Sequence, residues 1–102
     1  MNNYIEIITT CPDKATASRI GRMLVESGVV PCAQISAEIE SVYRWKGKIE
    51  TSPEYYCILK ARESDFNRIA EMIQKEHPYE VPEIIGRPIT AISQSYRNWL
   101  EE

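Results

Sequence analysis

From Ala33 to Trp45 the chain alternates with a period of two. Ala33, Ile35, Ala37, Ile39, Tyr43 and Trp45 share one parity, while Gln34, Ser36, Glu38, Glu40, Arg44 and Lys46 share the other. Successive side chains of a strand point to opposite faces, so the pattern predicts one long strand with one buried face. Ser41 and Val42 interrupt the alternation, and a bulge or bend is expected near them. Gly47 marks a turn, and Lys48-Ile49-Glu50 starts a return strand that resumes over residues 54–61. Pro53 has no donor for a strand ladder, which predicts an edge, a bulge or a break in the return arm. A hairpin of this length outgrows a compact body made from 102 residues. Its Tyr43, Trp45, Tyr55 and Tyr56 need cover, and long apolar edges aggregate unless another chain covers them. An obligate oligomer is expected.

The rest of the chain supplies the body. Residues 4–10 (Tyr4 to Thr10) are rich in β-branched and aromatic types and predict a strand. Cys11-Pro12-Asp13 breaks it, with Pro12 at a helix entrance and Asp13 as its cap. Ala17, Ile20, Gly21 and Leu24 then make one helical face, and Gly28 stops that helix. Ser64 or Glu63 is placed to cap a second helix, whose face is Phe66, Ile69, Ala70 and Ile73 and whose end is expected near His77. Residues 83–90 predict a last strand, with Pro88 at an edge or at its end. Ser93 is placed to cap a short terminal helix with Tyr96, Trp99 and Leu100 on one side. The order β-α-β-β-α-β plus a terminal helix predicts one α+β domain over residues 1–102, a ferredoxin-like sandwich with two helices on one face of a four-stranded antiparallel sheet. That fold serves many functions and assigns none.

Composition narrows the classes. A net charge of −3 argues against a nucleic-acid partner, because phosphate contacts need clustered Lys and Arg. The short basic run of Arg44, Lys46 and Lys48 reads as a solvated hairpin tip. Met1-Asn2-Asn3-Tyr4 has no basic region ahead of a long apolar run, and no apolar run is long enough to span a membrane. A cytoplasmic location with no membrane partner is the expectation. The three cysteines, Cys11, Cys32 and Cys57, are far apart and form no CxxC pair, which disfavours a disulfide scaffold or a zinc ribbon. No GxSxG, P-loop or GxGxxG occurs, and a single histidine limits acid–base schemes, so no enzyme activity is expected.

The most unusual stretch is Glu76-His77-Pro78-Tyr79-Glu80-Val81-Pro82-Glu83-Ile84-Ile85. Two prolines within five positions fix the path of the chain and end any helix arriving from Lys75. With Pro31-Cys32-Ala33-Gln34-Ile35, the hairpin from Ser41 through Tyr43, Trp45, Gly47 and Lys48 to Glu50, and the closing Tyr96, Trp99 and Leu100, this stretch resembles the CutA family of divalent-cation tolerance proteins. The likeness is nearly letter for letter from His77 to Glu83 and covers essentially the whole chain. One departure is Gln34, which stands where the family usually has Asn and lengthens the reach of the amide. The resemblance implies a ferredoxin-like subunit in a tight homotrimer, whose long bent hairpin exchanges strand pairings. It also implies tolerance of divalent metals, with copper the expected ion, and no well-established catalysis. The architecture resembles the trimeric PII signalling proteins too, which gives an alternative role in sensing or scaffolding, with a small metabolite or a protein bound between subunits.

His77 is the first candidate metal ligand, since imidazole suits Cu(II), Zn(II) and Ni(II), with Glu83 and Glu80 as neighbouring carboxylates. The competing reading makes His77 a structural group that closes the helix end or bonds across an interface. Cys32 is a soft ligand or a small buried apolar residue, and Cys57 reads as buried. Of the three thiols Cys11, ahead of a helix entrance, is the best placed to react, but the favoured reading is a turn residue. Tyr43, Trp45, Tyr79 and Trp99 line a pocket between subunits or, by the favoured reading, an ordinary interface.

Overall fold

The computed structural model describes residues 3–102. Met1 and Asn2, at the start of the segment read above as carrying no leader, lie outside the described residues. The elements are β1 (Tyr4–Cys11), α1 (Lys14–Glu26), β2 (Cys32–Trp45), β3 (Lys48–Arg62), α2 (Phe66–Glu76), β4 (Ile84–Pro88) and α3 (Gln94–Leu100). The strands form one sheet in the order β2-β3-β1-β4, antiparallel throughout. This is the α+β sandwich expected from the sequence. No helix among the described residues is long and apolar enough to cross a membrane.

One face of the sheet carries the core. Ile5, Ile7, Cys11, Cys57, Leu59 and Ala61 meet Ala17, Ile20 and Leu24 of α1 and Ile69 and Ile73 of α2. Both helical faces are those given by the spacing of apolar residues. Gly21 lets α1 approach closely: a Cβ there would stand 3.2 Å from the Ala33 Cβ and 3.3 Å from Ile35 Cδ1. Asp13 caps α1, accepting a hydrogen bond from the Thr16 N–H at 2.7 Å, and Gly28 leaves the helix at φ +84°.

The entry to α2 differs from expectation. Neither Ser64 nor Glu63 caps it; residues Glu63–Asp65 form a 3-10 turn first, and Asp65 takes the cap position without a side-chain bond. Glu63 is occupied elsewhere. Its N–H donates to the Asn3 carbonyl at 2.9 Å, and its carboxylate accepts from Asn3 Nδ2 at 3.3 Å. Ser93 does cap α3, accepting from the Tyr96 N–H at 3.3 Å.

The hairpin turns through Lys46 and Gly47, both at positive φ (49° and 79°), the conformation that suits the right-handed twist of two-residue hairpins. Its irregularity lies between Ile35 and Glu38, not at Ser41 and Val42, which pair regularly with Ser52 and Thr51. Ser36 explains the shift: its hydroxyl donates to the Ala37 carbonyl and accepts from the Tyr56 N–H, each at 2.8 Å, replacing the lost ladder bonds. β1 ends at Cys11, opposite Tyr55. Beyond that rung β3 has β2 alone as a partner, so Pro53 sits at an edge, as its missing donor requires. The two-stranded arm makes the molecule long, 45 × 25 × 24 Å, with a radius of gyration of 14.3 Å. A compact chain of this length has a radius of about 13 Å.

The core depends on side chains such as Ile73, which is fully buried between α2 and the sheet. Ile73→Ala is expected to lower unfolding stability by about 2–5 kcal/mol, read from the urea midpoint at constant slope.

Candidate functional site

The loop after α2 runs along the ends of β1 and β3. His77, at the helix end, has φ −83° and ψ 137°, the extended geometry that a following proline imposes. This turns the imidazole inward, where only 8% of the residue is exposed. Both ring nitrogens are used. Nδ1 accepts the Tyr79 N–H at 3.0 Å, so the ring proton sits on Nε2 and is donated to the Thr10 carbonyl at 2.8 Å. The Cys11 Sγ lies 3.8 Å from the same Nε2. Tyr79 leans over the imidazole with ring centroids 4.8 Å apart, and its hydroxyl donates to Glu54 Oε2 at 2.8 Å. Gln74 Nε2 holds the next turn of the loop through the Glu80 carbonyl at 3.2 Å. Arg19 of α1 donates to the Glu76 carbonyl at 3.1 Å and pairs with the Glu76 carboxylate at 3.7 Å.

Within the single chain His77 is therefore tied into the loop at both ring nitrogens, the structural role weighed against its reading as a metal ligand. A metal at either nitrogen must break one of its two hydrogen bonds. The chain also fails to gather the expected set: among the described residues no three His, Cys, Asp or Glu side chains stand together as a metal site. Glu80 and Glu83 are exposed rather than turned toward the imidazole. Glu83 instead borders a hollow of about 350 Å³ with Ile8, Tyr56, Ile58, Ile85 and Arg87. That hollow lies on the sheet face away from α1 and α2, because these strand residues alternate with the core residues Ile7, Cys57, Leu59 and Ile84.

Two of the three thiols are quiet. Burial, aided by the Asp13 and Glu54 charges, pushes Cys11 up to about 11, and burial pushes Cys57 up to about 12. Cys11 is neither a turn residue nor a reactive thiol: it is the last residue of β1 and fully buried, and burial outweighs the lowering effect of the Arg19 charge. Tyr79 is pushed upward as well, first by burial and then by its bond to Glu54, which keeps it a donor. Glu54 was not singled out in the sequence. Nothing in Pro53-Glu54-Tyr55 marks a carboxylate only 7% exposed; the loop that covers it comes from residues far along the chain.

A family model described as CutA1 divalent ion tolerance protein matches residues 5–102. The chain belongs to the CutA1 family. Among curated CutA relatives, the divalent-cation tolerance protein CutA of Thermus thermophilus is 32% identical over 96 residues, covering 94% of this chain and 93% of that protein. Protein CutA homolog of Xenopus laevis is 37% identical over 91 residues, covering 89% of this chain and 60% of that protein. The chloroplastic protein CutA of Arabidopsis thaliana is 34% identical and also longer: this chain covers 53% of it. The chain thus spans only about half to three-fifths of these longer CutA relatives. The crystal structure of CutA1 from Oryza sativa superposes with a TM-score of 0.94 at 34% identity, covering 98% of this chain and 92% of that one. CutA1 from Shewanella sp. SIB1 gives 0.91 at 38% identity, covering 96% and 92%. The CutA fold, arm included, is therefore this chain's fold.

His77→Ala removes an acceptor and a donor and strands the Thr10 carbonyl and the Tyr79 N–H. A loss of about 1–3 kcal/mol in urea unfolding is expected. In thiol labelling of the native protein at pH 8, Cys11 and Cys57 should stay unmodified and react only after unfolding, since thiolates are the reacting species. Early labelling of Cys11 would contradict its burial.

Proposed function

We propose that the protein acts in the cytoplasm as a CutA homotrimer that binds divalent ions, copper foremost, and contributes to metal tolerance without catalysing a reaction. The observation that supports this reading is the uncovered arm. Val42, Tyr43, Trp45 and Ile49 are 62%, 43%, 47% and 63% exposed in the single chain. An isolated two-stranded hairpin is marginal in water, so an arm of this kind is built for neighbours. Neighbours also supply the donors that one chain lacks. Cu(II) accepts carboxylate oxygen and imidazole nitrogen, and the exposed Glu83 and Glu80 are free to turn toward a ligand from another subunit without loss of a side-chain hydrogen bond. His77 joins them only by giving up one of its own bonds. A second reading, binding of a small metabolite by a PII-like trimer, draws on the hollow beside Glu83 and Arg87.

The test is a calorimetric Cu(II) titration of metal-stripped protein beside the Glu80→Gln/Glu83→Gln double variant. Saturable binding with a fixed ratio per trimer is expected, weakened about ten-fold or more in the variant. Weak binding without a fixed ratio, equal in both proteins, would remove metal binding from the function.

A further inference from the structure

The arm leaves the body at one level of the sheet, and several features meet there. β1 ends at Cys11 opposite Tyr55. The irregularity in β2 falls between Ile35 and Glu38, on the rungs facing Cys57 and Tyr55. Pro53 lies within β3 just beyond this level, opposite Glu40. Sheet pairing therefore does little to fix the angle of the arm at this point. A bulge bends and twists its strand, and a two-stranded ribbon has no third strand to stiffen it.

Glu54 sits at this level. It is 7% exposed, whereas its neighbours Thr51 and Pro53 are exposed. The side chain that covers it is Tyr79, whose hydroxyl donates to Oε2 at 2.8 Å. Tyr79 is fixed in turn: its N–H is held by His77 Nδ1 at 3.0 Å, and His77 is held by the Thr10 carbonyl at 2.8 Å. The chain of bonds runs from β1 through the loop after α2 to the base of the arm. Burial and the carboxylate keep the phenol protonated, so the bond runs from a neutral donor to an acceptor.

We infer that the Tyr79–Glu54 hydrogen bond is the latch that sets the arm against the body, and that the loop from His77 to Pro82 thereby controls the arm's readiness to engage other copies of the chain. Tyr79 is a positioning residue: it acts on assembly through Glu54 and need not touch a neighbour itself. The inference rests on the homotrimer proposed above for its consequence in assembly, and on this chain alone for the latch.

Tyr79→Phe keeps the ring and removes only the donor. Hydrogen exchange resolved along the chain, together with dissociation on dilution, is measured for the wild type, Tyr79→Phe, Glu54→Gln and the double variant. In Tyr79→Phe, arm amides between residues 36 and 54 should exchange about ten-fold faster while those of β1 and α1 keep their protection, and the trimer should dissociate at about ten-fold higher concentration. Glu54→Gln retains an acceptor for the Tyr79 hydroxyl and should keep most of the wild-type arm protection. The double variant should exchange like Tyr79→Phe alone, because loss of the donor has already broken the bond. Equal arm exchange in the wild type and Tyr79→Phe would overturn the latch, as would equal loss of protection throughout the body. A wild-type chain that never assembles would overturn the homotrimer instead, and the arm exchange would still decide the latch.

Discussion

The fold turns on a mismatch of lengths. β3 has fifteen residues and β1 has eight, and the two are paired from the Arg62 end of β3. β1 is exhausted at Tyr55, so the remaining half of β3 continues with β2 as a two-stranded ribbon. The body below that rung is an ordinary α+β sandwich with a buried core. The arm above it has no core of its own, which explains why its aromatic and branched residues stay uncovered. The uncovered face of the arm and the edge position of Pro53 both follow from that one inequality.

His77 joins the two halves. Its imidazole is held at both nitrogens, one bond facing β1 and the other facing its own loop. The bonds fix a neutral tautomer and direct Tyr79 to Glu54. A residue of the type most used for metal binding is thereby occupied in holding the loop. The same burial that organises the loop silences Cys11 beside it. Structural order and ligand availability oppose each other in this part of the fold.

Much of this was legible in the sequence. The helical spacing of Ala17, Ile20, Gly21 and Leu24 and the stops at Gly28 and His77 report local geometry directly, and the structure keeps them. The period of two in β2 marks a long strand, but the buried face expected from it is absent: Ala37, Tyr43 and Trp45 are exposed, because the register shifts between Ile35 and Glu38 and the arm beyond is uncovered. The bulge was misplaced because Ser41 and Val42 break the polarity pattern without breaking the pairing; an arm exposed on both faces has no reason to alternate. The capping of α2 was missed because Glu63 is drawn to Asn3, a contact between residues sixty positions apart. The site was less legible for the same reason. His77 and Tyr79 stand out as letters, but their partners are the Thr10 carbonyl and Glu54, and a backbone carbonyl and a strand carboxylate leave no sequence signal.

The central claim is that the arm is made for neighbouring copies of the same chain. Native mass spectrometry of the wild-type protein across micromolar concentrations tests it most directly. The expected species has three times the mass of the chain and persists on dilution. A folded monomer as the dominant species throughout that range would contradict the claim, because the exposed face of the arm would then be stable in water without cover.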